Sequence, residues 1–418
     1  MKNRLKKVQT GLLLLGLLFF IPVLHAQDVG DFFTIGGVVK NSKNKKHIGY
    51  VNVSAAGTNV GTVTNENGEF ILKISNELDV HEIELSCLGY YNAKYSINRS
   101  NRLEQTFFME PRAIELQEVE VLSWKNPADL IEEATRKIST NYSLSPNLLT
   151  CFYRETIQKR KKYITISEAV TEVYKSSYQK DALGDRTQIL KGRKLLSPEK
   201  KDTLGVKLLG GPNLAIYVDV VKNPDILLDT EVLRCYAFKM GEITSINNRL
   251  QYVVHFRPQI IMSYPLYEGT YYIDRETLAF TRIVFGMEMR DKEKVTRIIL
   301  KDKPAGLRFT PEEVSYVVTY QYQNGKSYLN YIRDEIRFRC DWKRRLFSTP
   351  YTVISEMVVT DRRAENIEKI AGKKAFSERK SLSDEAMTYY DSNFWGAYNI
   401  IEPTESLESA VGKLKKMD

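Results

Sequence analysis

The sequence predicts a mainly β protein: a small sandwich of seven strands near the N-terminus, then one large curved antiparallel sheet with few helices. Three observations carry that prediction. Residues 57–70, GTNVGTVTNENGEF, read as a β-hairpin closed by the Asn65-Glu66-Asn67-Gly68 turn. Apolar residues recur at alternate positions between about 150 and 360, and strand side chains point alternately to opposite faces. Tyr numbers 25 against 17 Phe and 3 Trp, and such rings favour sheets and half-wet faces.

The first unit spans residues 32–110. Strands are expected at Thr34–Lys40, Tyr50–Ser54, Gly61–Thr64 and Thr106–Met109, with Phe70, Leu72 and Ile74 sharing one face and Ile83, Leu85 and Cys87 another. Gly68 supplies the positive φ of the hairpin turn. So many short strands in so short a span predict two packed antiparallel sheets. A phosphate loop in Gly57, Gly61 and Gly68 is disfavoured, because no helix follows whose free amides would hold an anion.

GGVV at 36–39, IGYVNV at 48–53, GTNVGTVTNENGEF and SCLGY at 86–90 together resemble the carboxypeptidase regulatory-like module, a prealbumin-type sandwich of Bacteroidetes envelope proteins. In that family the module is an accessory placed ahead of outer-membrane receptors and many unrelated domains. The resemblance implies an envelope setting and no peptidase activity.

Residues 111–148 are expected to be a connector: an extended Ile114–Val121, then a helix capped by Asn126 with Pro127 in its first turn and Leu130, Ala134 and Ile138 on its buried side. Residues 149–361 hold the long hairpins. Leu250–Phe256 alternates, Thr270–Ile273 and Leu278–Met289 flank the Asp274-Arg275-Glu276-Thr277 turn, and Asn324-Gly325 joins two strands as the strongest hairpin signal. Residues 176–201 show no periodicity, and 205–229 read as turns and short elements lying over the sheet. The hairpins and YYIDRET at 271–277 resemble the half-barrel of periplasmic lipoprotein carriers, which implies a sheet able to cradle an apolar ligand. Residues 362–418 read as a charged segment and a tail that Phe394, Trp395 and Tyr398 pin back on the domain.

Residues 1–26 have a basic start, an apolar run from Leu12 to Leu24 and a cleavage site after Ala26, the pattern of an export signal. No later stretch is long and apolar enough for a membrane helix. The formal net charge is +9, but Lys2, Arg4, Lys6 and Lys7 stand in the leader, so the remaining charge selects no partner. Cys87, Cys151, Cys235 and Cys340 have neither zinc nor redox spacing. Export permits disulfides, while buried thiols beside strands are the commoner outcome.

No catalytic residues, metal ligands or cofactor are predicted. His47, His81 and His255 lack partners at metal-binding spacing, the paired acids are neighbours in sequence, and no nucleophile motif surrounds Ser42, Ser54, Ser263 or Cys151. The binding candidates are Tyr264, Tyr267, Tyr271 and Tyr272 near strand ends and Trp342, Lys343, Arg344 and Arg345 after a long strand, since rings stack on sugars and basic groups meet phosphate or acidic glycan. Sheet packing for the tyrosines and a solvated turn for 342–345 are the plainer roles. Nucleic acid is disfavoured by the export signal and the lack of a reading motif. The expectation is therefore a non-catalytic binding or scaffolding protein of the envelope, exported to the periplasm, the outer membrane or the cell surface, with an envelope protein, glycan or lipid as partner. An apolar-ligand carrier and an envelope glycan hydrolase are the alternatives.

Overall fold

The computed structural model describes residues 31–97, 102–113, 124–199, 202, 204–342, 347–377, 380–390 and 395–414. The leader, the expected strand at 114–121, Phe394 and the Lys343-Arg344-Arg345 run lie outside the described residues.

Seven strands form the first unit: β1 (Phe32–Asn41), β2 (Asn52–Ala55), β3 (Gly61–Val63), β4 (Glu69–Ser75), β5 (Glu82–Ser86), β6 (Ala93–Ser96) and β7 (Arg102–Met109). They make two sheets, ordered β4-β1-β7 and β3-β2-β5-β6. Ile35, Val39, Phe70, Leu72 and Ile74 from the first pack on Val53, Ile83 and Leu85 from the second. One detail corrects the sequence expectation, because β1 and β7 run parallel. Alternation marks a strand equally in either direction, so the pattern could not reveal this. Gly68 has φ 77°, and a Cβ there would lie 2.7 Å from the Val39 carbonyl oxygen, so only glycine closes this turn.

Helix α1 (Pro127–Arg136) begins where the sequence places it. Asn126 caps it, its Oδ1 accepting from the Ala128 amide at 3.2 Å, and Leu130, Ile131 and Ala134 are buried. A short α2 (Ile138–Asn141) follows.

The large sheet that follows has eleven strands. These are β8 (Asn147–Lys159), β9 (Lys162–Lys175), β10 (Arg186–Leu196), β12 (Tyr236–Met240), β13 (Thr244–Ile246), β14 (Arg249–Pro258), β15 (Tyr267–Asp274), β16 (Phe280–Met287), β18 (Leu307–Gln323), β19 (Lys326–Trp342) and β20 (Thr349–Arg363). The order is β10-β9-β8-β20-β19-β18-β16-β15-β14-β12, with β13 also on β14, and each neighbouring pair is antiparallel. A separate small pair, β11 (Lys207–Leu208) with β17 (Leu300–Asp302), lies apart from it. Asn324 and Gly325 have φ 50° and 79°, the left-handed pair that a two-residue I′ turn requires, and they join two 17-residue strands.

Two of the elements that escaped the sequence reading are β10 and a helix near residue 295. In β10 the alternation slips at a bulge between Ile189 and Lys191, and several of its polar residues face the acids of β9 instead of water. Helix α5 (Lys292–Ile299) is short and mostly charged, burying only Val295 and Ile299.

The inner face of the sheet is filled by the chain itself. Leu130, Ile131, Ala134 and Tyr142 pack there with Ala215 and Ile216 of α3 (Pro212–Tyr217), with Val218 to Leu228, and with Leu233 of α4 (Thr230–Leu233), against Tyr153, Val254, Tyr271, Ile283, Val318 and Ile332. A buried ionic cluster fastens the 212–235 segment. Lys175 Nζ lies 2.9 Å from Asp219 and 3.3 Å from Asp185, while Tyr178 and Tyr320 donate to Asp219 at 3.0 and 2.6 Å. Lys222, fully buried, donates to Ser176 Oγ at 2.9 Å and to the Ser176 and Ser177 carbonyls. Charges withdrawn from water this completely persist because each has opposed charge and hydrogen bonds around it.

The outer face carries the first unit. Val63 packs with Phe152, Tyr331, Val358 and Ile401. The 395–401 segment is held between the two units: Trp395 meets Phe152 edge-on at 5.3 Å, and Arg154, paired with Glu168 at 2.7 Å, donates to the Ile401 carbonyl. Asn399 exchanges two hydrogen bonds with the backbone of Lys73, at 2.7 and 2.9 Å, on the edge strand β4. Beyond it, Leu407 of α7 (Glu405–Leu414) packs on Ile166 and Leu195; α6 (Leu382–Glu385) caps the far end of the inner core.

Candidate functional site

The tyrosine candidates do not share a surface. Tyr271 is fully buried, its hydroxyl donating to the Leu227 carbonyl at 2.9 Å, and Tyr267 packs edge-on against Phe285 at 5.4 Å. Tyr272 points the other way, in register with Arg282 on the outer face, and Tyr264 is exposed. Trp342 is exposed at the end of β19, paired with Leu307.

The structure draws attention instead to the seam between the two β units. A cavity of about 230 Å³ lies there, with room for several waters or a small organic group. The first unit supplies Tyr50, Asn52, Ser86 and Cys87; the outer face of the sheet supplies Arg282, Thr319, Asn330, Tyr331 and Arg333. Strand register explains the floor: Arg282 pairs with Thr319, Thr319 with Tyr331, and Val317 with Arg333, so three adjacent strands present alternate residues to one spot.

The rim is polar and tight. Gly89 donates to the Ser245 carbonyl at 2.8 Å, Ser86 Oγ donates to Asn247 Oδ1, and the Asn92 amide reaches Asn248 Oδ1 at 2.7 Å. Asn247 and Asn248 have φ 53° and 59°, which aims this turn at the first unit. On the far side Gln323 Nε2 donates to the Thr58 carbonyl at 2.8 Å. Tyr50 itself sits at φ 59°, a backbone strain that a bulky residue tolerates only where its surroundings hold it. Its ring lies 6.2 Å from that of Tyr331 and 5.8 Å from the Arg333 guanidinium. Burial pushes the Tyr50 hydroxyl up to about 12, with Arg333 opposing.

The cavity lining holds two arginines and, among the described residues, no carboxylate. Arg333 pairs with Glu335 at 2.8 Å, but Glu335 is shared with Arg337 at 2.5 Å. Arg282 has no acceptor among the described residues, and the Nε atoms of both arginines are buried without a partner. Burial pushes the Cys87 thiol up to about 11 against the pull of Arg282, which disfavours the nucleophilic thiolate.

A second polar group interrupts the inner face. Asp334, Ser355 and Glu155 stand in one row across β19, β20 and β8. Burial raises both carboxyls, Asp334 to about 7, and Asp334 Oδ1 has no partner. Gly210 lies over Glu155, where a Cβ would meet its carboxylate at 3.2 Å. Among the described residues no group of three or more His, Cys, Asp or Glu could hold a metal, and no helix is long and apolar enough to cross a membrane.

Nothing in the sequence marked the seam. Its residues range from Tyr50 to Arg333, too far apart in the chain for any local pattern to join them. The one local hint was the run of tight motifs from Gly49 to Asn52 and Ser86 to Gly89, which form the first unit's wall.

Comparison with known proteins finds a family model similar to the first unit. Residues 35–121 match the family model of the CarboxypepD_reg-like domain, about a fifth of the chain. No curated protein matches. Among solved structures, the chain is similar to a domain assigned to outer membrane lipoprotein sorting from Vibrio parahaemolyticus (10% identity, TM-score 0.26, covering 58% of this chain and 94% of that one). It is similar also to a DUF1329 family protein from Desulfovibrio piger (10%, 0.24, 58% and 96%) and to a LolA superfamily protein from Nitrosomonas europaea (8%, 0.21, 58% and 94%). Superpositions this partial fix neither the fold nor a ligand.

Proposed function

We propose that the protein is an exported, non-catalytic binding or scaffolding protein of the bacterial cell envelope, associated with the outer membrane, and that the seam is its receptive site. The observation that carries this reading is the cavity walled jointly by both β units, with Arg282 and Arg333 in its lining. The leader pattern and the CarboxypepD_reg-like segment support the envelope setting. An apolar carrier would need an accessible inner face, and here α1 and the 212–235 segment fill it. The hydrolase alternative draws on the Asp334 and Glu155 row, which the chain near Gly210 covers.

The test is fractionation followed by native purification and mass spectrometry of bound small molecules and proteins, for wild type and Thr319→Trp, which fills the seam. Wild type is expected with the membranes or periplasm, carrying a species that the variant lacks. Mature protein in the cytoplasm, or identical bound species in both, would overturn the reading.

A further inference from the structure

We propose that the seam is a binding site for a small organic oxyanion, a carboxylate or phosphate held between Arg282 and Arg333. This deepens the reading of the seam as a receptive site and rests on it.

The argument is one of uncompensated charge. Arg282 projects from the outer face of β16 into the cavity and meets no hydrogen-bond acceptor or carboxylate among the described residues, and its Nε is shut off from solvent. Arg333 reaches the same space from β19, with Glu335 shared with Arg337, Glu356 opposite it on β20 and its own Nε unpaired. A buried donor left unmade is costly, and for a charged group more so. Elsewhere buried cations are matched to acceptors: Arg154 and Arg193 flank Glu168 at 2.7 and 2.5 Å, Lys175 lies between Asp185 and Asp219, and Arg362 donates to the side-chain oxygens of Asn59 and Gln323. The seam departs from that habit. Two guanidinium groups around one small polar hollow form the arrangement that takes planar or tetrahedral oxyanions through paired N–H donors.

Size and lining narrow the ligand further. A volume of about 230 Å³ falls below the roughly 300–1,000 Å³ of pockets for drug-sized molecules, so it admits one small molecule or one charged end group. Asn52, Thr319 and Asn330 add hydrogen-bonding groups, and the Tyr50 and Tyr331 rings give an apolar side to the organic part. Tyr50, strained into the left-handed region at this wall, is held where the hollow needs its ring.

The test uses the full mature chain and four probes, benzoate, phenyl phosphate, inorganic phosphate and neutral phenol, followed by calorimetry and thermal shift. At least one of the two aromatic oxyanions is expected to bind and raise Tm, with phenol inert. Arg282→Gln and Arg333→Gln are each expected to weaken that binding at least about tenfold. Benzoate binding without phenyl phosphate assigns a carboxylate. The reverse assigns a phosphate, and inorganic phosphate then tells whether the organic part contributes. No binding of either aromatic oxyanion at about 10 mM, or equal binding by the double variant, overturns the proposal. If a variant fails to fold, crystals of wild type with 4-bromobenzoate decide: anomalous density between Arg282 and Arg333 supports the site, and its absence there sinks it. An anion-free seam in a protein that still fractionates with the envelope removes only the ligand class, whereas cytoplasmic fractionation removes the envelope reading whatever the probes do.

Discussion

Asn59 and Arg362 grip one another across the boundary between the two β units. Asn59 Nδ2 donates to the Arg362 carbonyl at 2.7 Å, and the Arg362 guanidinium returns a bond to Asn59 Oδ1 at 2.8 Å. The same guanidinium donates to Gln323 at 2.8 Å and lies 3.6 Å from the centre of the Tyr328 ring. Its buried position makes the contact count. Arg362→Ala is expected to lower stability by about 2–3 kcal/mol and Asn59→Ala by about 1–2, because hydrogen bonds to a charged donor exceed neutral ones. Urea midpoints of the single and double variants check this, and the two losses are expected not to add.

Asp219 is the counter-charge of the buried cluster. With 0% exposure it accepts from Tyr178, Tyr320 and Lys175 at once. Asp219→Ala leaves Lys175 facing only Asp185, and a loss of about 3–5 kcal/mol is expected. Denaturant unfolding measures it. Faster hydrogen exchange in residues 212–235 would show that this segment loosens first.

Asp334 sets a pH dependence. Burial pushes its carboxyl up to about 7, with Arg333 pulling down and Glu155 adding to the rise. The folded chain thus binds a proton that the unfolded chain has already released above its ordinary pKa of about 4. The contribution of this group to stability is full below pH ~4 and is lost as the pH climbs through 7. Glu402 is also raised to about 7 by burial and shares the window. Asp334→Asn is expected to flatten the decline and to be the more stable protein above pH 8, by as much as about 4 kcal/mol at the limit. Tm profiles between pH 4 and 9 test the sign, and a variant less stable than wild type at pH 9 would refute it.

The four cysteines are free thiols, and burial pushes Cys87 and Cys340 up to about 11 and Cys151 up to about 12. A thiol reagent is expected to count four groups in denaturant without prior reduction. Native Cys87 is expected to react about two orders of magnitude more slowly than a free cysteine, from its thiolate fraction alone.

What the sequence made legible was whatever is encoded within a few residues. Asn324-Gly325 states its turn outright, Asn126-Pro127 states a helix start, and Phe70, Leu72 and Ile74 state which face of β4 is inward. Direction and docking are not written locally. The parallel run of β7 beside β1 leaves no mark in either strand, and β10 hid because Glu168 and Glu172 of the next strand give its polar side chains partners. The seam is the extreme case. Arg282 and Arg333 look like outward residues of regular strands until a second β unit is laid over them, and Trp395 to Ile401 hold that unit in place from more than sixty positions further along.

That clasp has a consequence for how the molecule comes into being. Asn399 completes the edge of β4 through the backbone of Lys73, and Ile401 receives Arg154 from β8, yet every strand precedes them in the chain. During synthesis or export the two halves emerge first, with only their direct contacts such as Asn59 to Arg362 to join them, and the trailing segment adds its bolt last.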